Sequence, residues 1–113
     1  MELEELKKKL RSYKENELEF YEPHFTNQML ARGGNKQEIV NCLLNPEKLV
    51  YFKVSEGKYG DQKYCLLFKV SNTRTMMMPV IFDRNRRKGL YIITYVMKYR
   101  PWENIARAME RRK

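Results

Sequence analysis

The dipeptide Asn45-Pro46 splits this chain into two parts that differ in the period of their apolar residues. Before it, apolar side chains recur at spacings of three and four, as on a helix with one buried face. After it, they alternate or run together in stretches rich in Val, Ile, Tyr and Phe, as in strands. Proline lacks an N–H and holds φ near −65°, so a helix that reaches Pro46 stops there. Helices first and strands after predict an α+β fold, with N-terminal helices packed on one face of a four-stranded antiparallel sheet and a C-terminal helix at the end.

Leu3, Leu6, Leu10 and Tyr13 predict a first helix over Glu2–Lys14. Glu17 to Phe20 alternate as a short strand or extended linker, and Pro23 suits the first turn of a second helix to Ala31 that buries Phe25, Met29 and Leu30. Gly33 and Gly34 end it, where a left-handed residue meets no Cβ clash. Asn35 and Glu38 cap a third helix with the stripe Ile39, Val40, Leu43 and Leu44. Leu49–Val54, Gln62–Val70, Thr75–Phe82 and Leu90–Lys98 then read as a meander joined by short turns. Pro101 opens a last helix with Trp102, Ile105, Ala106 and Met109 inward and Arg107, Arg111, Arg112 and Lys113 outward. At 113 residues this is one domain: residues 1–16 an appended helix, 17–100 the core, 101–113 a basic helix.

The net charge of +9 is unevenly spread. Residues 1–22 hold five basic and seven acidic side chains, residues 23–82 eight and four, and residues 83–113 ten and three. Such clustering is the footprint of a phosphate-backbone binder, because each neutralised phosphate releases condensed counterions. Cys42 and Cys65 stand apart from each other and from the single histidine, so they read as small hydrophobes, with no metal or cofactor site. The longest uncharged stretch, Gly89 to Met97, is far short of the roughly 20 apolar residues of a membrane span, and the N-terminus is acidic. A cytoplasmic protein is expected.

His24 follows Pro23 at the mouth of the second helix. Helix-start N–H groups attract phosphate, and imidazole is suited to moving protons near neutral pH. The surrounding run, Glu22-Pro-His-Phe-Thr-Asn-Gln-Met-Leu-Ala-Arg-Gly and on to Asn45-Pro46, resembles a group of small domains. In these a histidine opens a helix, Met-x-x-Arg-Gly closes it, and a second helix ends in Asn-Pro before a β-meander. That group is similar to the nuclease fold of barnase-like enzymes, colicin ribonucleases and RelE-type toxins. The resemblance covers about residues 20 to 100 and implies metal-independent RNA cleavage without a cofactor, an acidic antitoxin partner, and His24 and Arg32 as site residues. The chain departs from the pattern at Gly34, where the group more often has an aliphatic residue, and in its first and last helices.

Such cleavage needs a base, an acid and fixed positive charge on the phosphorane. His24 serves as acid or base; Arg32 and Lys98 or Arg100 hold the phosphate; Tyr95 and Tyr99 stack on bases or orient the substrate. Arg74 and the hairpin tip Arg84, Arg86, Arg87 and Lys88 add phosphate contacts. Each has a plainer role: Arg32 facing its helix dipole, the tyrosines as half-buried sheet residues, the tip as a solvated turn, Met76 to Met78 as filler. No second acid–base residue is evident. A non-catalytic RNA- or DNA-binding module, viral or plasmid-borne, fits the same charge, and the first helix would suit a homodimer contact.

Overall fold

The computed structural model describes residues 1–57 and 60–111. Helix α1 (Leu3–Arg11) carries acidic residues in its first turn and basic ones in its last, matching its dipole. Leu6 and Leu10 are wholly buried, and Tyr13 follows them into the interior. The apolar stripe of the residue 1–16 segment is thus part of the same core as the sheet. Strand β1 (Leu18–Phe20) precedes α2 (His24–Ala31), which buries Phe25 and Met29 but leaves Leu30 exposed, against expectation. Gly33, at φ +68°, stops α2 in the left-handed region. In α3 (Lys36–Leu44) the Asn35 side chain accepts the Glu38 N–H at 3.1 Å, and Ile39, Val40 and Leu43 are buried.

Strands β2 (Leu49–Glu56), β3 (Gln62–Ser71), β4 (Arg74–Phe82), β5 (Leu90–Ile92) and β6 (Val96–Lys98) precede α4 (Trp102–Arg111). The last helix stands where its periodicity puts it; Arg112 and Lys113 lie outside the described residues. The sheet has six strands and is mixed, in the order β1-β5-β4-β3-β2, with β6 also beside β4. This corrects the four-stranded antiparallel expectation in two ways. β1 joins as a parallel edge strand, Leu18 opposite Leu90. The predicted strand Leu90–Lys98 is broken at Ile93-Thr94-Tyr95, and its register slips by one residue between the pairs Val80–Ile92 and Met77–Val96.

Pro79 accounts for the break. Its carbonyl accepts the Ile93 N–H at 3.0 Å, so on an antiparallel ladder its missing N–H faces the same neighbour. A strand that loses a donor there bulges, and the bulge turns Tyr95 into the core, 2% exposed.

Strand alternation sorts the two cores. Leu66, Phe68, Met76, Met78 and Val80 meet α1, α2 and α3, while Leu67 and Met77 face the other way and take Ile105 and Ala106 of α4. Each such burial stabilises by about 1.5–3 kcal/mol relative to exposure. Thr75, the buried polar residue among the described ones, donates to the Arg100 carbonyl at 2.9 Å and fixes the entry to α4. Cys42 and Cys65 are free thiols; burial pushes Cys65 up to about 11 and raises Cys42. Among the described residues, no helix is long and apolar enough to cross a membrane.

Candidate nucleic-acid interface

His24 and Arg32 sit at opposite ends of α2. Eight residues at 1.5 Å rise separate their backbones by about 12 Å, and the candidate residues fall into two groups. At the start of α2 the helix N–H groups do not wait for an anion. The Glu22 carboxylate accepts the Thr26 N–H at 2.8 Å and the Thr26 hydroxyl, which hold it below the usual carboxylate range against its desolvation. Lys36 lies 3.9 Å from the same carboxylate.

His24 itself is exposed, with Nε2 3.0 Å from the Thr94 hydroxyl in the strand break. Its ring lies 5.6 Å from that of Tyr21, and Tyr21 lies 6.3 Å from Tyr91. Parallel pairing sets Glu19 of β1 beside Tyr91 of β5. Arg84 closes the group: its guanidinium stands 3.7 Å from the Tyr91 ring centre and 3.1 Å from the Glu19 carboxylate. An imidazole, a carboxylate, a guanidinium and two phenol rings thus run along one sheet edge. Beside them is a recess of about 450 Å³ lined by Glu17, Glu19, Arg84, Arg87, Lys88 and Tyr91. Sequence reasoning missed Glu19 and Tyr21 here. Their i, i+2 spacing is visible in the sequence, but their proximity to Tyr91 and Arg84 depends on a parallel pairing that no local pattern announces.

The hairpin tip is not simply solvated. Lys88 donates to the Ser12 carbonyl at 3.0 Å and lies 3.7 Å from Glu17, while Arg84 is held by Glu19. Asp83 anchors the tip. Its carboxylate accepts from Tyr13 at 2.8 Å, Lys9 at 3.0 Å and the Gly89 N–H at 3.1 Å, tying the hairpin to α1. Burial alone would raise the Asp83 carboxyl, but these donors outweigh it and hold it low. Asp83, Asn85 and Arg86 all have positive φ, near 50–60°, which orders the tip at a backbone cost and leaves Arg86 and Arg87 in solvent without an ion pair among the described residues.

The second group gathers at the far end of α2. A groove of about 710 Å³ runs between α3 and the sheet, with Arg32, Lys48 and Arg74 on its rim and Phe68, Met76 and Met97 on its floor. Tyr95 lines it from beneath. Burial lifts the Tyr95 phenol above its ordinary value; Arg74 and Arg32 pull it back, and Tyr99 and Glu38 push it further up. Arg32 donates to the Gln28 side chain, and Arg74 lies 5.6 Å from the ring of the exposed Tyr99. Tyr95 and Tyr99 are thus not one strand-face platform, since one is core and the other solvated. Lys98 and Arg100 are exposed beyond the groove, and neither lines it.

No protein-family model, curated protein or solved structure matches this chain. Function therefore rests on the residues themselves. Among the described residues no three His, Cys, Asp or Glu side chains come together as a metal-ligand set.

Gly34 explains one departure from the motif. A Cβ there would stand 2.8 Å from the Met29 side chain and 3.1 Å from the Tyr95 ring, so only glycine lets the α2–α3 turn lie on Tyr95. Gly34→Ala is expected to lower stability by about 1–3 kcal/mol through overpacking. Denaturant unfolding checks this, and Gly34→Ala as stable as wild type would refute it.

Proposed function

We propose that the protein cleaves RNA without a metal ion, using His24, Glu19 and Arg84. The observation that carries this reading is that an imidazole, a carboxylate–guanidinium pair and two tyrosine rings share one exposed edge. Glu19 takes the proton of the 2′-hydroxyl, whose oxygen attacks phosphorus. The P–O5′ bond breaks, and His24, as imidazolium, gives its proton to the leaving 5′-oxygen. The products are a 2′,3′-cyclic phosphate and a 5′-hydroxyl. Arg84 stabilises the charge that builds on the phosphorane oxygens, a task suited to a guanidinium, and Tyr21 and Tyr91 offer faces for base stacking. The motif resemblance around His24 supports the same activity, although Arg32 then serves elsewhere.

The test is RNA incubated with purified protein in excess chelator. Wild type is expected to cut it, with 2′,3′-cyclic ends and a rate that falls as salt rises. The exposed cations Arg86, Arg87, Lys98 and Arg100 favour a second reading, binding without chemistry. Salt-sensitive binding with intact RNA selects that reading and overturns cleavage.

A further inference from the structure

The groove at the far end of α2 is not used by the chemistry assigned to His24, Glu19 and Arg84. Its volume of about 710 Å³ lies within the range of ligand sites, roughly 300–1,000 Å³. Its composition is that of a site for a group that is flat and apolar at one end and anionic at the other. Met97 and Val70, partly exposed, form its open apolar surface, and Phe68 and Met76 lie buried directly under it. Arg32 and Arg74 stand at the rim as two guanidiniums able to fork onto phosphate oxygens. Glu38 and Asn35 also line the groove, the Asn35 side-chain oxygen already accepting the Glu38 N–H.

Just outside, Tyr99 is 69% exposed, with Arg74 near its ring. A large aromatic face left in solvent beside a cation is the pairing on which single strands stack. Position along the molecule sets which nucleotide is concerned. The backbone gap of about 12 Å along α2 exceeds one stacked step of roughly 3.4 Å, which favours a nucleotide other than the one cut at His24 for the groove.

We propose that this groove is a subsite for single-stranded RNA, taking the base of a nucleotide a few positions from the scissile bond on its methionine floor and that nucleotide's phosphate on Arg32 and Arg74. The proposal rests on the RNA-cleaving reading of the His24 edge and names its substrate: an unpaired strand longer than a dinucleotide.

The test uses the full chain with 2′-O-methyl RNA, which cannot be cut because the attacking hydroxyl is blocked. An octanucleotide and a dinucleotide are titrated while the methionine methyl signals of Met76 and Met97 are followed by NMR. The octanucleotide is expected to move both signals and the dinucleotide neither. Arg32→Ala/Arg74→Ala is expected to weaken octanucleotide binding by about tenfold or more, the loss of two charge-assisted contacts, and to leave dinucleotide binding within about twofold. Both arginines are at the surface, and Arg32→Lys/Arg74→Lys, which keeps charge but loses the fork, is expected to fall between the two.

Octanucleotide binding that leaves the methionine signals still, or that survives the double alanine variant, overturns the subsite. So does an octaglutamate peptide that moves the signals as the RNA does. Two outcomes separate this proposal from the one beneath it. Methionine shifts with uncut natural RNA leave the subsite standing and remove catalysis. Cleavage with an unchanged octanucleotide-to-dinucleotide ratio in the arginine variants leaves catalysis standing and removes the subsite.

Discussion

His24→Ala is expected to slow RNA cleavage by about 10²–10⁴ while leaving RNA affinity nearly unchanged, because proton transfer by a positioned side chain contributes about that much. Glu19→Gln should lose a similar factor. It keeps the shape and a hydrogen-bonding partner for Arg84, now 3.1 Å from the carboxylate, but removes the base. If the two groups act in one proton relay, the double variant costs little more than the worse single one, since residues that act as a unit are strongly non-additive. Single-turnover rates with wild type and the three variants decide the matter. His24→Ala cutting as fast as wild type ends the catalytic assignment.

The second large effect concerns stability. Asp83→Ala strips three donors of their acceptor at once, Tyr13, Lys9 and the Gly89 N–H, and puts alanine at a left-handed φ of 50°. The carboxylate is partly exposed, so solvent screens part of the loss, and the expected cost is about 1–3 kcal/mol. That corresponds to a fall in Tm of about 5–15 °C. Asp83→Asn keeps the left-handed backbone, which Asn tolerates, and should cost less.

The pH dependence follows from the same contacts. The Asp83 carboxyl is lowered in the folded chain, so its stabilisation is present above the unfolded value of about 3.9 and is lost as pH falls through the folded one. Burial and the Asp83 contact raise the Tyr13 phenol, so its share is present below about 10 and is lost as pH climbs from there. Asp83→Asn is therefore expected to flatten the acid limb of the stability curve. An Asp83→Ala protein with wild-type Tm at neutral pH and an unchanged acid limb would refute the anchor. Because Asp83 carries Arg84 next to it, Asp83→Ala is also expected to lower the proposed cleavage without touching a group assigned to that chemistry.

Helix α3 was legible down to its cap, because Asn35 and Glu38 meet within one turn and need no distant partner. The methionines of β4 read as strand filler, and they pack as such, Met76 and Met78 on one face and Met77 on the other. Leu30 was not legible, because the arc of α2 that meets the sheet is narrower than its apolar pattern. The break in the last strand had a signal in Pro79, but reading it required knowing which neighbour its missing N–H faces. The candidate site shows the same division. His24 stood out as the sole histidine at a helix start, whereas Glu19 looked like one more surface acid until β1 paired with β5.

By itself, the sequence determined the class of fold, the order of its elements and the positive charge of its later part, since periodicity, proline stops and charge are properties of neighbouring residues. The tertiary structure alone decided which of those residues meet. The rise of α2 parted His24 from Arg32, the parallel edge strand brought Glu19 to Arg84, and the bulge opposite Pro79 sank Tyr95 beneath Gly34. The reason is that a site is made of contacts between distant segments, and their register is set by packing the whole core at once.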